Sequence, residues 1–73
     1  MEVLRFMISS SIEWAAYDKD NKVLHVRYVG KDLEYEYEKV SENKWNRLKE
    51  AESKGKFINF YIKPFHKVTH SPV

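Results

Sequence analysis

Between Leu33 and Glu38 the chain alternates strictly, with Leu33, Tyr35 and Tyr37 interleaved among Glu34, Glu36 and Glu38. Successive side chains of a strand point to opposite faces, so this period of two predicts a β-strand with an aromatic row on one side and an acidic row on the other. A helix would spread both sets around its circumference. Such a strand does not stand alone in water; it needs neighbours to pair with and a layer to cover its apolar face.

The flanking sequence supplies both. In Lys22 to Val29, the residues Leu24, Val26 and Tyr28 alternate with Val23, His25, Arg27 and Val29, which reads as a second half-buried strand. Ile12 to Tyr17, with the β-favouring Trp14, reads as a third. Asp18-Lys19-Asp20-Asn21 joins these two strands, and its Asx side chains favour a tight turn; Gly30-Lys31-Asp32 supplies the next turn. Downstream, Ser41 is a good N-cap, Glu42 puts negative charge in the first turn, and Val40 can staple against Trp45. A helix is expected over 42–53. Its apolar stripe is Trp45, Leu48 and Ala51, with Gly55 beside Lys54 as a left-handed C-terminal cap. The stripe is expected to lie across Leu24, Val26, Tyr28 and one row of the alternating strand.

The expected fold class is α+β: a three-stranded antiparallel β-meander, one main α-helix packed on it, and a short C-terminal segment. Phe57 to Ile62 is an apolar run of six residues that periodicity assigns neither to strand nor to helix. Val3, Leu4, Phe6, Met7 and Ile8 read as an edge strand or an extended arm. Residues 1–73 are expected to form a single domain with its core at about 8–66 and a flexible tail at 67–73.

Composition narrows the function classes. At 73 residues there is room for one small domain, and 42% hydrophobic with 15% aromatic content is too much for a disordered segment. The absence of cysteine excludes a disulfide framework and a thiolate metal cage. No run approaches the roughly 18 apolar residues of a membrane span, and the opening residues do not look like a signal peptide, so a cytoplasmic location and no membrane partner are expected. Catalytic constellations are thin. His66 and His70 have the i, i+4 spacing of a helical metal clamp, but Pro64 and Pro72 flank them and no third ligand lies nearby. His25 reads as an ordinary strand histidine. Ser9-Ser10-Ser11 lacks a nucleophile elbow, the glutamate row reads as a solvated face, and Gly30 and Gly55 make no phosphate loop. No catalytic residue, metal site or cofactor is expected.

Charge is distributed unevenly. Residues 1–38 carry five basic side chains against eight acidic ones, a net of −3; residues 39–73 carry eight against three, a net of +5. In that basic half Trp45, Phe57, Phe60, Tyr61 and Phe65 are interleaved with Lys44, Arg47, Lys49, Lys54, Lys56, Lys63 and Lys67. Single-stranded nucleic acid is bound by stacking rings combined with phosphate-neutralising cations, so this is the pattern of such a surface. It is also what a small core edged by solvated lysines would need.

Several motifs occur in a fixed order: Ser9-Ser10-Ser11-Ile12, Ala15-Ala16-Tyr17-Asp18, Leu24-His25-Val26-Arg27-Tyr28, Tyr35-Glu36-Tyr37, Ala51-Glu52-Ser53-Lys54-Gly55-Lys56-Phe57 and Asn59-Phe60-Tyr61-Ile62. With them the chain resembles the KTSC family over about residues 8–66. Members are short domains at the C-terminus of some lysyl-tRNA synthetases, or stand-alone bacterial or phage proteins. Departures are Lys39-Val40-Ser41, where the family often has Val-Pro, and Ala15 and Ile58 in place of larger residues. The resemblance implies an RNA-binding role, through the association with a synthetase, and no catalysis. Tyr35 and Tyr37 match its Tyr-x-Tyr pair; they either form a stacking platform or pack under the helix, and packing is expected. Ser53, Gly55, Lys56, Phe57 and Asn59 match its helix-end motif, which either holds a phosphate or makes a cap.

The functional expectation is a non-enzymatic module for RNA or other nucleic acid, with Lys44, Arg47, Lys54, Lys56 and Lys63 as phosphate contacts and Tyr35 and Tyr37 as the accompanying aromatics. The alternative is a module for protein interaction or self-association through a sheet edge or the aromatics near the C-terminus.

Overall fold

A computed structural model describes residues 2–5 and 12–72. Phe6, Met7, Ile8 and the triple serine lie outside the described residues. The architecture is α+β, with five strands where three were expected: β1 (Glu2–Arg5), β2 (Ile12–Asp18), β3 (Val23–Tyr28), β4 (Leu33–Tyr37) and β5 (Val68–Pro72). They form one antiparallel sheet in the order β1-β2-β3-β4-β5. Helices α1 (Glu42–Glu50) and α2 (Lys54–Phe57) fall between β4 and β5, and α2 continues into a π-helical segment, Ile58–Ile62.

The central three strands are the expected meander. Their turns follow the expected chemistry: Asp18 Oδ1 accepts from the backbone N–H groups of Asp20 and Asn21, and Gly30 takes φ +78°. Lys22 and Lys39 also adopt positive φ, 57° each, at the β2–β3 turn and at the corner between β4 and α1. The two added strands are the edges. β1 realises the edge-strand reading of the N-terminal run over its first residues. β5 replaces the expected tail: it pairs with all five residues of β4, from Leu33 opposite Pro72 to Tyr37 opposite Val68, and all its side chains are exposed. A strand held by backbone pairing without burying a side chain leaves no hydrophobic periodicity to read.

One face of the sheet carries the core. Ala15 and Tyr17 of β2, Leu24 and Val26 of β3 and Tyr37 of β4 are buried there, against Val40, Trp45, Leu48, Phe57, Ile58 and Ile62. Simple alternation would send Ile12 to the other face with Trp14 and Ala16. A register shift between Ile12 and Trp14 places Ile12 opposite Tyr28 instead, and it is fully buried. One extra residue in a strand reverses every side chain beyond it, which is how the bulge turns Ile12 inward.

α1 begins as expected, with the Ser41 side chain accepting from the Lys44 backbone N–H and with Trp45 and Leu48 buried. It ends at Glu50 rather than residue 53. Ala51 turns extended at ψ 138°, and Ser53, also extended, accepts from the Lys56 N–H as the N-cap of α2. Gly55 therefore lies inside the first turn of α2 and is not the C-terminal cap of α1. Serine favours an N-cap over a helix interior, where its side chain competes with the backbone for hydrogen bonds; as a cap its oxygen takes one of the orphan N–H groups of the new first turn, that of Lys56. The run Phe57–Ile62 resolves as helical. Lys63 N–H donates to the Ile58 carbonyl at 2.8 Å, the i to i+5 bond of a π turn. Ile58 and Ile62, four residues apart and so on one helical face, are buried in the core, and Phe60 and Tyr61 lie outside. No described helix is long and apolar enough to cross a membrane.

Candidate nucleic-acid interface

Lys44 and Arg47 are three residues apart and therefore neighbours on α1. The chain from α2 to residue 66 is laid beside them. The Arg47 guanidinium lies 5.8 Å from the Phe57 ring centroid and 5.7 Å from that of Tyr61, and the two rings are themselves 5.1 Å apart. Lys44 Nζ sits 5.0 Å over the Phe65 ring and donates to the Tyr61 carbonyl at 2.9 Å. Phe57 is the buried anchor. Tyr61 is 48% exposed, Phe65 69% and Phe60 65%. Three large rings thus lie open on a segment held to a basic helix face, whereas an isolated surface aromatic would need no comment.

His66 fixes the turn that carries Phe65. Its Nδ1 faces the Glu38 carbonyl at 2.8 Å and its Nε2 faces Lys44 Nζ at 2.8 Å. The neutral ring with its proton on Nδ1 satisfies both contacts, donating to the carbonyl and accepting from the ammonium. Burial holds the His66 pKa below its ordinary value, and the Lys44 charge pushes the same way. His66 and His70, whose spacing alone would suit a helical clamp, point to different partners: His66 turns to Lys44, while the His70 ring lies 5.6 Å from that of Tyr35.

The seven residues expected at the site divide into two sets. Arg47, Lys56 and Lys63 are exposed. Lys63 Nζ also lies 5.3 Å over the Tyr28 ring. Lys44 is half-buried and engaged inside the fold by the contacts above. Lys54 is likewise half-buried, its ammonium donating to the Ala51 carbonyl at the end of α1, where a cation is favoured. Tyr37 is 1% exposed, its hydroxyl 2.9 Å from that of Tyr28, and it cannot be a stacking platform. Tyr35 is half-buried, edge-on to Tyr28 at 5.1 Å and facing His70. The packing alternative holds for this pair, because the aromatic row of β4 faces the core. Burial raises the pKa of the Tyr28 and Tyr37 hydroxyls, so both stay protonated.

The opposite sheet face carries the acidic row, which is less solvated than expected: Glu38 is exposed, but Glu34 and Glu36 are half-buried. His25 Nδ1 lies 3.3 Å from Glu34 Oε2, and donor atoms of His25, Glu34 and Glu36 fall within 4.8 Å of one another. Strand pairing, which puts His25 opposite Glu36, assembles this group from residues that no spacing rule in the sequence connects. Arg27 stands opposite Glu34, with its Nε 3.8 Å from Glu13, an ion-pair distance too long for a hydrogen bond. Sequence reading also missed the contact that fastens the sheet edge to the helix. Glu2 accepts from Trp45 Nε1 at 2.8 Å and from Lys49 Nζ at 3.0 Å, and these two bonds hold its carboxyl below the usual range.

Comparison with known proteins agrees with this fold. A KTSC domain protein from Yersinia pestis has a crystal structure that superposes with a TM-score of 0.81 at 29% identity, covering 92% of this chain and 94% of the other. A Tsukamurella paurometabola protein is 39% identical over 56 residues, spanning 77% of this chain and 82% of that one. The KTSC domain profile matches residues 8–65, which include β2 to β4, both helices and the aromatic segment through Phe65. The chain is therefore a member of the KTSC domain family.

Proposed function

We propose that this protein is a small, non-enzymatic nucleic-acid-binding module, with RNA as the leading ligand, and that the surface formed by α1 and residues 56–65 makes the contact. The observation that carries the reading is the exposure of Phe60, Tyr61 and Phe65 on a segment seated against Arg47 and Lys44. Exposed rings and cations together are what stacking on bases and neutralising phosphates require. Arg47, Lys56 and Lys63 are the phosphate contacts in this proposal; Lys44 and Lys54 serve by positioning the segment. A second reading, docking of a protein or a second copy, has its own support. β1 and β5 are the outer strands of the sheet, and the side chains of β5 are all exposed.

Salt separates the two. Phosphate contacts to a single strand give a log–log slope of about −0.7 each, so three cations should give a slope of about −2 in fluorescence anisotropy with labelled RNA. Arg47→Glu combined with Lys63→Glu should weaken binding and flatten that slope. Affinity indifferent to salt and to both substitutions would refute the nucleic-acid reading and favour the strand edges.

A further inference from the structure

Resting on that nucleic-acid reading, we infer that the ligand class is a single strand with unpaired bases, gripped through base faces on Tyr61 and Phe65, rather than a duplex gripped through its backbone. In a duplex the base faces are covered by their own stacking neighbours, and only phosphates, sugars and groove edges are presented outward. A duplex laid on this surface would set polar phosphates against rings that are 48% and 69% exposed, while Arg47, the phosphate-binding cation beside them, lies over the Tyr61 ring. An unpaired strand offers both partners at once, with a base for each ring and a phosphate for Arg47.

The rings are fixed in place before any ligand arrives. Tyr61 is held by Phe57 at 5.1 Å and by Arg47 at 5.7 Å, and Phe65 by Lys44 at 5.0 Å. Lys44 is itself tied to the Tyr61 carbonyl and to His66. A platform held this way loses little side-chain freedom on binding. The Arg47 guanidinium lies over the Tyr61 ring, and among the described residues no acidic side chain pairs with it, so its N–H donors are available to phosphate. Recognition through base faces is tolerant of sequence, since every base has one, so weak discrimination among homopolymers is expected.

The test uses the whole 73-residue chain and three labelled probes of equal length: a mixed-sequence RNA of about 12 nucleotides, the same strand annealed to its complement, and an abasic sugar-phosphate strand carrying the same charge, a length within known single-strand site sizes. With a base on each of two rings and one stacked base worth roughly a tenfold change, the single strand should bind about a hundredfold tighter than the duplex or the abasic strand. Phe65→Ala should remove about tenfold of this for the RNA and leave abasic binding unchanged. The three-probe comparison needs no variant, so misfolding cannot confuse it. Equal affinity for the ordinary and abasic strands, or preference for the duplex, overturns the inference and leaves a backbone-binding module standing. Failure of all three probes to bind at about 100 μM in low salt, weaker than ordinary non-specific association, overturns the nucleic-acid reading with it.

Discussion

Replacing Tyr17 with phenylalanine deletes one oxygen from the core and leaves everything else in place. The Tyr17 ring is 2% exposed and stacks on Trp45 with centroids 5.5 Å apart. Its hydroxyl donates to the Val40 carbonyl, joining β2 to the corner where the chain leaves the sheet for α1. Val40 is fully buried, so water does not readily replace the lost donor. Phenylalanine keeps the stack and the volume, which confines the loss to one hydrogen bond and one stranded acceptor, about 2 kcal/mol. For a 73-residue chain, an unfolding entropy of about 2.1 cal/mol/K per residue converts this to a fall of roughly 13 °C in Tm. Urea denaturation followed by tryptophan fluorescence should show a lower midpoint with an unchanged slope, since the surface exposed on unfolding is the same. Tyr61→Phe, which removes an exposed hydroxyl, should stay within about 0.5 kcal/mol. A Tyr17→Phe variant equally close to wild type would show that the Val40 carbonyl finds another donor and that the corner is held by packing alone.

Two further outcomes follow from the same contacts. His66 has a lowered pKa, so the folded state binds fewer protons than the unfolded state; its contribution is full above the ordinary value of 6.5 and is lost as pH falls through the folded value below it. Between pH 7.5 and 5 wild type should lose stability in urea titrations while His66→Gln, which does not titrate, should lose less; equal losses would count against the His66–Lys44 contact. Glu2 and Asp18, also lowered, act further down, in the carboxylate range. Gly30→Ala should cost about 1–2 kcal/mol by chemical denaturation, entirely from placing a side chain at φ +78°, because an added Cβ meets nothing within 4 Å. A neutral result would mean that the turn relaxes to another conformation.

Local chemistry alone determined much of this molecule. The alternation of Leu33–Tyr37 and Leu24–Tyr28 set two strands and the faces they present, the Asx and glycine turns joined the central meander, and Ser41 with Val40 and Trp45 placed the start of α1. Each signal is written in residues a few positions apart, where hydrophobic period and capping geometry act directly. The concentration of rings and cations after residue 43 was also legible, including Phe60, Tyr61 and Phe65. Only the tertiary structure decided which of them face solvent. Trp45 and Phe57 went to the core, Lys44 and Lys54 were drawn into contacts with backbone carbonyls, and the helical segment Ile58–Ile62 left Phe60 and Tyr61 outside. The edge strands, the bulge that buries Ile12, the Glu2–Trp45 bond and the His25–Glu34–Glu36 group were likewise settled by pairing between distant segments. A sequence states which side chains prefer burial; which of several suitable candidates obtains it depends on strand register and on the volume left beneath one helix, quantities that exist only once the chain has closed on itself.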